Sequence, residues 1–298
     1  MIVLGFQDYR AQGQALAEAL GCAYEEIAIH RFPDGESKVT LPRLAADESE
    51  VILCRSLDRP NAKLVELHLA CATLRQQGVA RLTLVAPYLC YMRQDIAFHP
   101  GEVVSQKIIG HWLGEMVDTL ITVDPHLHRV HHLSEAVPNA QAIALTAAPL
   151  IADFLKQRPV PPLLFGPDAE SQQWVQHIAE LAGLDWAVAH KTRHSDRQVT
   201  IELPDVDVSG RRVVIVDDVA STGRTIANAA RLLKQAGAEL VKCFVTHPLF
   251  SENAEEILTN AFITHIWSSD AISHHSNVVS LAPLLAQAVH QSRENQGS

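Results

Sequence analysis

Short apolar runs recur along the chain, and segments with helical spacing of apolar positions lie between them. Ile2–Phe6, Val51–Cys54, Leu82–Ala86, Thr119–Val123, Leu163–Phe165, Ala187–Ala189, Val213–Val216 and Leu240–Val245 are nearly free of charge. Strands covered on both faces read this way. Ala62–Gln77, Gln172–Ala182 and Thr225–Ala236 carry helical patterns, and each stops directly before Gly78, Gly183 or Gly237. Glycine ends helices readily because it enters the left-handed region without a Cβ penalty. Strands alternating with helices predict βαβ units and mainly parallel sheets. The pattern runs twice, which predicts an α/β chain of two similar domains, 1–145 and 146–298, with the proline-bearing stretch Lys156–Pro162 soon after the junction. Leu281–Gln291 reads as a last helix whose docking place the pattern leaves open. The polar tail His290–Ser298 is expected to fray.

Composition narrows the class. The chain has 298 residues, 47% of them hydrophobic, enough for two ordinary cores. No apolar run reaches the ~18 residues of a membrane span, and the opening MIVLGFQDYR lacks the basic and long apolar regions of a secretory signal. The formal net charge of −10 argues against nucleic acid as a partner, since a polyanion needs a basic surface. A local basic site for a small phosphorylated molecule stays compatible with it. Cys22, Cys54, Cys71, Cys90 and Cys243 are scattered without C-x-x-C spacing, as expected for free thiols in a reducing cytoplasm.

The strongest chemical signal runs from Val213 to Ile226. Four apolar residues form a strand, Asp217 and Asp218 follow at its carboxyl end, and Ala220-Ser221-Thr222-Gly223-Arg224-Thr225 leads into a helix. Ligands of open α/β sheets bind at the carboxyl ends of strands. A helix start offers free N–H groups and the positive end of the dipole to an anion. Ser221, Thr222 and Thr225 add hydroxyl donors, Gly223 allows close approach, and the two aspartates can accept from sugar hydroxyls or hold a metal. An ordinary helix cap needs no pair of aspartates ending a buried strand. Neither G-x-x-x-x-G-K-[ST] nor G-x-G-x-x-G occurs, which turns the reading away from Walker-type NTPases and dinucleotide enzymes.

Five further groups of residues stand out. Phe32-Pro33-Asp34-Gly35-Glu36 has good turn chemistry. Pro87-Tyr88-Leu89-Cys90-Tyr91-Met92-Arg93-Gln94-Asp95 follows a strand, and Arg93 can fork onto phosphate oxygens. Asp124-Pro125-His126 ends another strand and opens a histidine-rich turn with His128, His131 and His132. That turn is read as surface rather than as a zinc site. Asp168 ends a strand of the second half, and Lys191 and Arg193 lie between two later strands.

The Asp217–Thr225 segment resembles the phosphoribosyl diphosphate loop of type I phosphoribosyltransferases and of ribose-phosphate diphosphokinases. The order Phe32–Glu36, Tyr88–Asp95, Asp124–His126, Asp168, Lys191–Arg193, Asp217–Thr225 resembles the diphosphokinases over nearly the whole chain. The resemblance implies two phosphoribosyltransferase-like domains and transfer of the diphosphoryl group of ATP to the anomeric hydroxyl of ribose 5-phosphate. It implies ATP binding by Arg93, Gln94, Asp95 and His126, with Phe32, Asp34 and Glu36 lent by a neighbouring subunit of a homo-oligomer, dimer or hexamer. It implies Mg²⁺ placed by His126 and Asp168, and transition-state stabilisation by the catalytic pair Lys191 and Arg193. It also implies ribose 5-phosphate held by Asp217, Asp218 and Ala220–Thr225. The chain departs from the family pattern at Ile96–Glu102, where basic residues are usual, and at Ala169-Glu170-Ser171, where glycines are usual. Two other readings stay open here: a phosphoribosyltransferase that consumes the diphosphate, for which no base-recognition hood is found, and a non-catalytic regulatory homologue.

Overall fold

A computed structural model describes residues 1–45, 48–127, 129–195, 198–204, 206–251 and 253–294, with strand pairing alone described within 190–195 and 198–202. The chain forms two compact units. One comprises Met1–Leu145, Ala271–Ser273 and Ser280–Ser298, the other Thr146–Asp270 and His274–Val279.

In the first unit the elements are β1 (Ile2–Phe6), α1 (Arg10–Leu20), β2 (Ala23–Arg31), β3 (Ser37–Thr40), β4 (Glu50–Cys54), α2 (Pro60–Gln76), β5 (Arg81–Val85), α3 (Ser105–Met116), β6 (Thr119–Val123), α4 (Leu133–Ala136) and β7 (Gln141–Leu145). The sheet order is β3-β2-β1-β4-β5-β6-β7, parallel apart from the antiparallel β2–β3 pair. Strands β1, β4, β5 and β6 are buried along nearly their whole length, which is why each is a run of Val, Ile and Leu. Their side chains pack with Leu64, Leu67 and Leu74 of α2 and Leu113 of α3 into one core. Each such leucine contributes roughly 1.5–3 kcal/mol on burial.

The second unit contains α5 (Ala148–Lys156), β8 (Leu163–Gly166), α6 (Gln172–Ala182), β9 (Trp186–Val188), β10 (His190–Ser195), β11 (Gln198–Glu202), β12 (Arg212–Ala220), α7 (Arg224–Gln235), β13 (Leu240–Pro248), α8 (Ala254–Thr259), β14 (Ile263–Ser269) and β15 (Asn277–Val279). Its six-stranded sheet, β15-β14-β13-β12-β8-β9, is parallel throughout, and β10 and β11 form a separate antiparallel hairpin. Helix α7 buries Ile226, Ala227, Ala230 and Leu233 on the face its spacing predicts. The segment Leu281–Gln291 forms most of α9 (Ala282–Glu294), which starts one residue later and packs on α1 in the first unit, with Arg293 paired to Glu50 at 3.0 Å. Of the tail expected to fray, 295–298 lies outside the described residues. Among the described residues no helix is long and apolar enough to cross a membrane.

Candidate active site

In each sheet the strand order reverses at one place, and the carboxyl ends of the two strands flanking that reversal form the crevice where open α/β sheets bind ligands. In the second unit the reversal lies between β8 and β12, with Val213 beside Leu163 and Ile215 beside Phe165. The sequence supplies Asp168 just past the end of β8 and Asp217–Asp218 near the end of β12.

The Asp168 carboxylate accepts from the N–H groups of Glu170 at 3.2 Å and Ser171 at 3.3 Å. Ser171 Oγ returns a bond to the Asp168 carbonyl at 2.6 Å, so the acid is held by the turn it caps. Gly166 makes room for that turn, because a methyl there would stand 2.5 Å from Ser171 Oγ. Asp217 Oδ1 accepts from the Asp218 N–H at 3.0 Å, and Asp218 Oδ1 from the Val219 N–H at 2.8 Å. Burial first, then the neighbouring carboxylates of Asp218 and Asp168, push the Asp217 carboxyl well above its ordinary range. Three acidic side chains thus act on one another at a single strand-order reversal.

After Ala220 the chain turns through Ser221 and Thr222 to Gly223, whose φ of 69° starts α7 from the left-handed region. A methyl at Gly223 would stand 3.1 Å from Leu258 Cγ and 3.3 Å from the Ala254 carbonyl. The loop is fastened from behind: Phe250 N–H donates to Ala220 O at 3.0 Å and Ser251 N–H to Ser221 O at 2.8 Å. Ala227 N–H donates to Gly223 O at 2.8 Å, leaving the N–H groups of the first turn without helical partners. Thr222 and Arg224 are exposed there, and Ser221 and Thr225 partly so. The arrangement can bind an anion against backbone N–H groups and hydroxyls, beside carboxylates suited to sugar hydroxyls or a hard cation.

Lys191 and Arg193 occupy β10, opposite Ile201 and Val199 of β11. The sequence placed the pair between two strands, and the backbone carries it on one strand of a hairpin; the two side chains lie outside what is described.

The remaining predicted residues belong to the first unit. Phe32–Glu36 forms the exposed β2–β3 turn, closed by Phe32 N–H to Glu36 O at 2.8 Å and Glu36 N–H to Asp34 Oδ1 at 3.1 Å. Phe32 stands in solvent, edge-on to His30. Arg93 is exposed and Gln94 partly so. Asp95 is buried and grips Arg129, through Nη1 at 2.7 Å and the backbone N–H at 3.2 Å. Its geometry therefore positions a loop as well as any ligand. His126 is partly buried and follows Asp124, a buried residue at φ 39°. In the histidine-rich turn, His132 caps α4, with its N–H donating to Glu135 at 3.0 Å, and His128 lies outside the described residues.

Sequence reasoning missed what fills the reversal of the first sheet, between β1 and β4. Arg55, directly after β4, lies over the Phe6 ring at 4.1 Å and pairs with Asp8 at 3.2 Å and Glu66 at 2.7 Å. Lys63 joins Asp8 at 3.0 Å and Asp58 at 2.6 Å, and Ser37 donates to Glu66 at 2.8 Å. Burial raises the Asp8 carboxyl, but Arg55 and Lys63 outweigh it and hold it low. Glu66 is likewise held low by Ser37 and Arg55 against burial. A charge directly after a buried strand was the available signal. Burial pushes the Cys71 and Cys90 thiols up to about 12, which disfavours the reactive thiolate.

The N-terminal domain model of ribose phosphate pyrophosphokinase matches residues 1–116, and the phosphoribosyl transferase domain model matches 134–276. The ribose-phosphate pyrophosphokinase of Methanopyrus kandleri is 32% identical over 292 residues, spanning 97% of this chain and 98% of its own. The chain belongs to the ribose-phosphate pyrophosphokinase family. The pyrophosphokinase of Methanosarcina acetivorans is 32% identical over 295 residues, 97% of this chain and 99% of its own. The crystal structure of phosphoribosylpyrophosphate synthetase from Mycobacterium smegmatis aligns with a TM-score of 0.81 over 99% of both chains at 22% identity, and so shares the fold. The family assignment makes this chain a ribose-phosphate pyrophosphokinase-type enzyme, a transferase, and both sheets carry the architecture expected of it.

Proposed function

We propose that the second unit's strand-order reversal is the ribose 5-phosphate site of a reaction that moves the diphosphoryl group of ATP to the sugar's anomeric hydroxyl. The observation that carries this reading is the meeting of Asp168, Asp217 and Asp218 beside a helix start opened by Gly223. The first-turn N–H groups and the hydroxyls of Ser221, Thr222 and Thr225 hold the 5-phosphate, with Ala220 and Gly223 shaping the loop and Arg224 adding a cation. Asp217 and Asp218 accept from the ring hydroxyls. Arg93, Gln94, Asp95 and His126 receive ATP, and the Phe32–Glu36 turn serves the adenine of a neighbouring subunit in a homo-oligomer, dimer or hexamer.

Three carboxylates acting on one another suit Mg²⁺, which takes one or two protein carboxylates and completes its shell with water and substrate oxygens. Asp168 and His126 would hold it, and when bound it neutralises phosphate charge. The anomeric oxygen forms a bond to the β-phosphorus, the bond from that phosphorus to the α–β bridging oxygen breaks, and AMP leaves. The hydroxyl proton passes to water or a carboxylate. Lys191 and Arg193 stabilise the charge that builds between donor and acceptor. The free thiols and the absence of a spanning helix among the described residues are compatible with a cytoplasmic enzyme.

The test is AMP formation from ATP and Mg²⁺ with and without ribose 5-phosphate, in the native chain and Lys191→Ala. Sugar-dependent AMP, lowered roughly two or more orders of magnitude by the substitution, supports the reaction and the role of the hairpin. Absence of AMP while either substrate still binds would leave a binding homologue or a phosphoribosyltransferase.

A further inference from the structure

Glu255, His274 and His275 lie outside the residues assigned to the reaction. Glu255 is in the first turn of α8, and the two histidines precede β15. Their donor atoms all fall within 4.8 Å of one another. His274 Nε2 is 3.3 Å from Glu255 Oε1 and His275 Nε2 is 3.0 Å from Oε2. Zinc ligated by nitrogen and oxygen at about 2.0–2.2 Å in a tetrahedron sets its ligand atoms about 3.3 Å apart. The two histidine–carboxylate distances are close to that edge length, and the exposed side of His275 is left for water.

The surroundings steer one imidazole. His274 Nδ1 is 2.7 Å from Ser276 Oγ, and that oxygen is 2.7 Å from Ser268 Oγ, which accepts from Asn277 Nδ2 at 2.9 Å. Ser268 and Ser276 are buried. A metal on Nε2 fixes the tautomer with hydrogen on Nδ1, which then donates to Ser276 Oγ, the kind of outer partner that ligating histidines use. The competing arrangement puts hydrogen on Nε2, donating to Glu255, and leaves Nδ1 to accept from the Ser276 N–H at 3.2 Å. The Phe250 ring packs edge-on to His274, and the Phe250 N–H fastens the phosphate loop at Ala220.

We propose that Glu255, His274 and His275 bind one divalent transition metal of the zinc type, clipping α8 to the segment before β15 behind the phosphate loop. Two imidazoles and one carboxylate favour zinc over magnesium, which prefers oxygen donors. The site stands independently of the proposed reaction.

The test uses the full chain stripped with chelator and titrated with Zn²⁺ by calorimetry and with Co²⁺ by visible absorption. One equivalent of Zn²⁺ should bind, and Co²⁺ should give the intense bands of a four- or five-coordinate ion. His275→Gln, at an exposed position, and Glu255→Gln, close in shape, should each weaken binding by at least roughly tenfold. Zn²⁺ should raise the unfolding temperature of the native chain and not of the variants. Failure to bind either ion, or binding that both variants leave unchanged, would overturn the proposal.

Discussion

The two sheets reverse their strand order in the same way and fill the resulting crevice with opposite electrostatics. At the β1/β4 reversal, Asp8, Arg55, Lys63 and Glu66 alternate in sign within ion-pair distance, and Arg55 lies over the Phe6 ring. At the β8/β12 reversal, Asp168, Asp217 and Asp218 gather charge of one sign, and burial makes their mutual repulsion cost more. Charges of alternating sign hold a fold together; charges of one sign at the carboxyl edge prepare it for a ligand that supplies the other. One architecture therefore supports a closed reversal, its charges balanced among themselves, in one unit and an open one, its charges all of one sign, in the other. In the first unit, Arg93, Gln94, Asp95 and His126, proposed to receive ATP, follow β5 and β6, while the proposed adenine turn Phe32–Glu36 joins β2 to β3.

Deleting a charge should separate the two regions most sharply. Arg55→Met leaves Glu66 buried without its buried ion-pair partner and should destabilise the first unit by about 3–5 kcal/mol, read by thermal or denaturant unfolding. A loss under about 1 kcal/mol would show the network to be ornamental. Asp217→Asn should act the other way. It removes buried repulsion and so stabilises the protein at neutral pH, while sugar-dependent AMP formation falls by roughly two to three orders of magnitude.

The pH dependence of stability carries the same contrast. Asp217 titrates high in the folded state, so its contribution to stability is present below the ordinary carboxylate range and is lost as pH climbs through its raised value. Asp8 and Glu66 titrate low, so theirs is present above the ordinary range and is lost as pH falls through their lowered values. Unfolding followed against pH in the native chain and Asp217→Asn should show the alkaline-side loss shrink in the variant, with the acid-side loss retained.

Gly223→Ala forces a Cβ into left-handed backbone against Leu258 and should cost roughly 1–2 kcal/mol, with weaker ribose 5-phosphate binding by calorimetry. The smallest stability effect belongs to Phe32→Ala. That exposed ring should change stability by less than about 0.5 kcal/mol, yet raise KM for ATP if it serves a neighbouring subunit's adenine.

Much of this was legible in the sequence, for a physical reason. Strands buried on both faces must be apolar throughout, so β1, β4, β5, β6, β8, β12 and β13 announce themselves. Strands toward the sheet's margins escape that rule: β2, next to the edge strand β3, carries Glu25, Glu26, His30 and Arg31 because much of it meets solvent, and the edge strand β7 is only half-buried. The strand–turn–helix segment proposed to hold phosphate was readable because its elements are local, with strand, aspartates, glycine and helix start within a few residues. The Arg55 network was not, since Asp8, Arg55 and Glu66 meet only after a sheet has brought three distant segments together. Asp95 showed the same limit: its place in a motif suggested a ligand contact, and its grip on Arg129 becomes visible only in the fold.

The most direct test of the contrast between the two reversals is calorimetric titration of ribose 5-phosphate, with Mg²⁺, into the native chain, Asp8→Asn and Asp217→Asn. Binding should be kept in the native chain and in Asp8→Asn, and be weakened at least roughly tenfold, about 1.4 kcal/mol, in Asp217→Asn. Unchanged binding in Asp217→Asn, or a loss confined to Asp8→Asn, would contradict the assignment of the open reversal to the sugar phosphate.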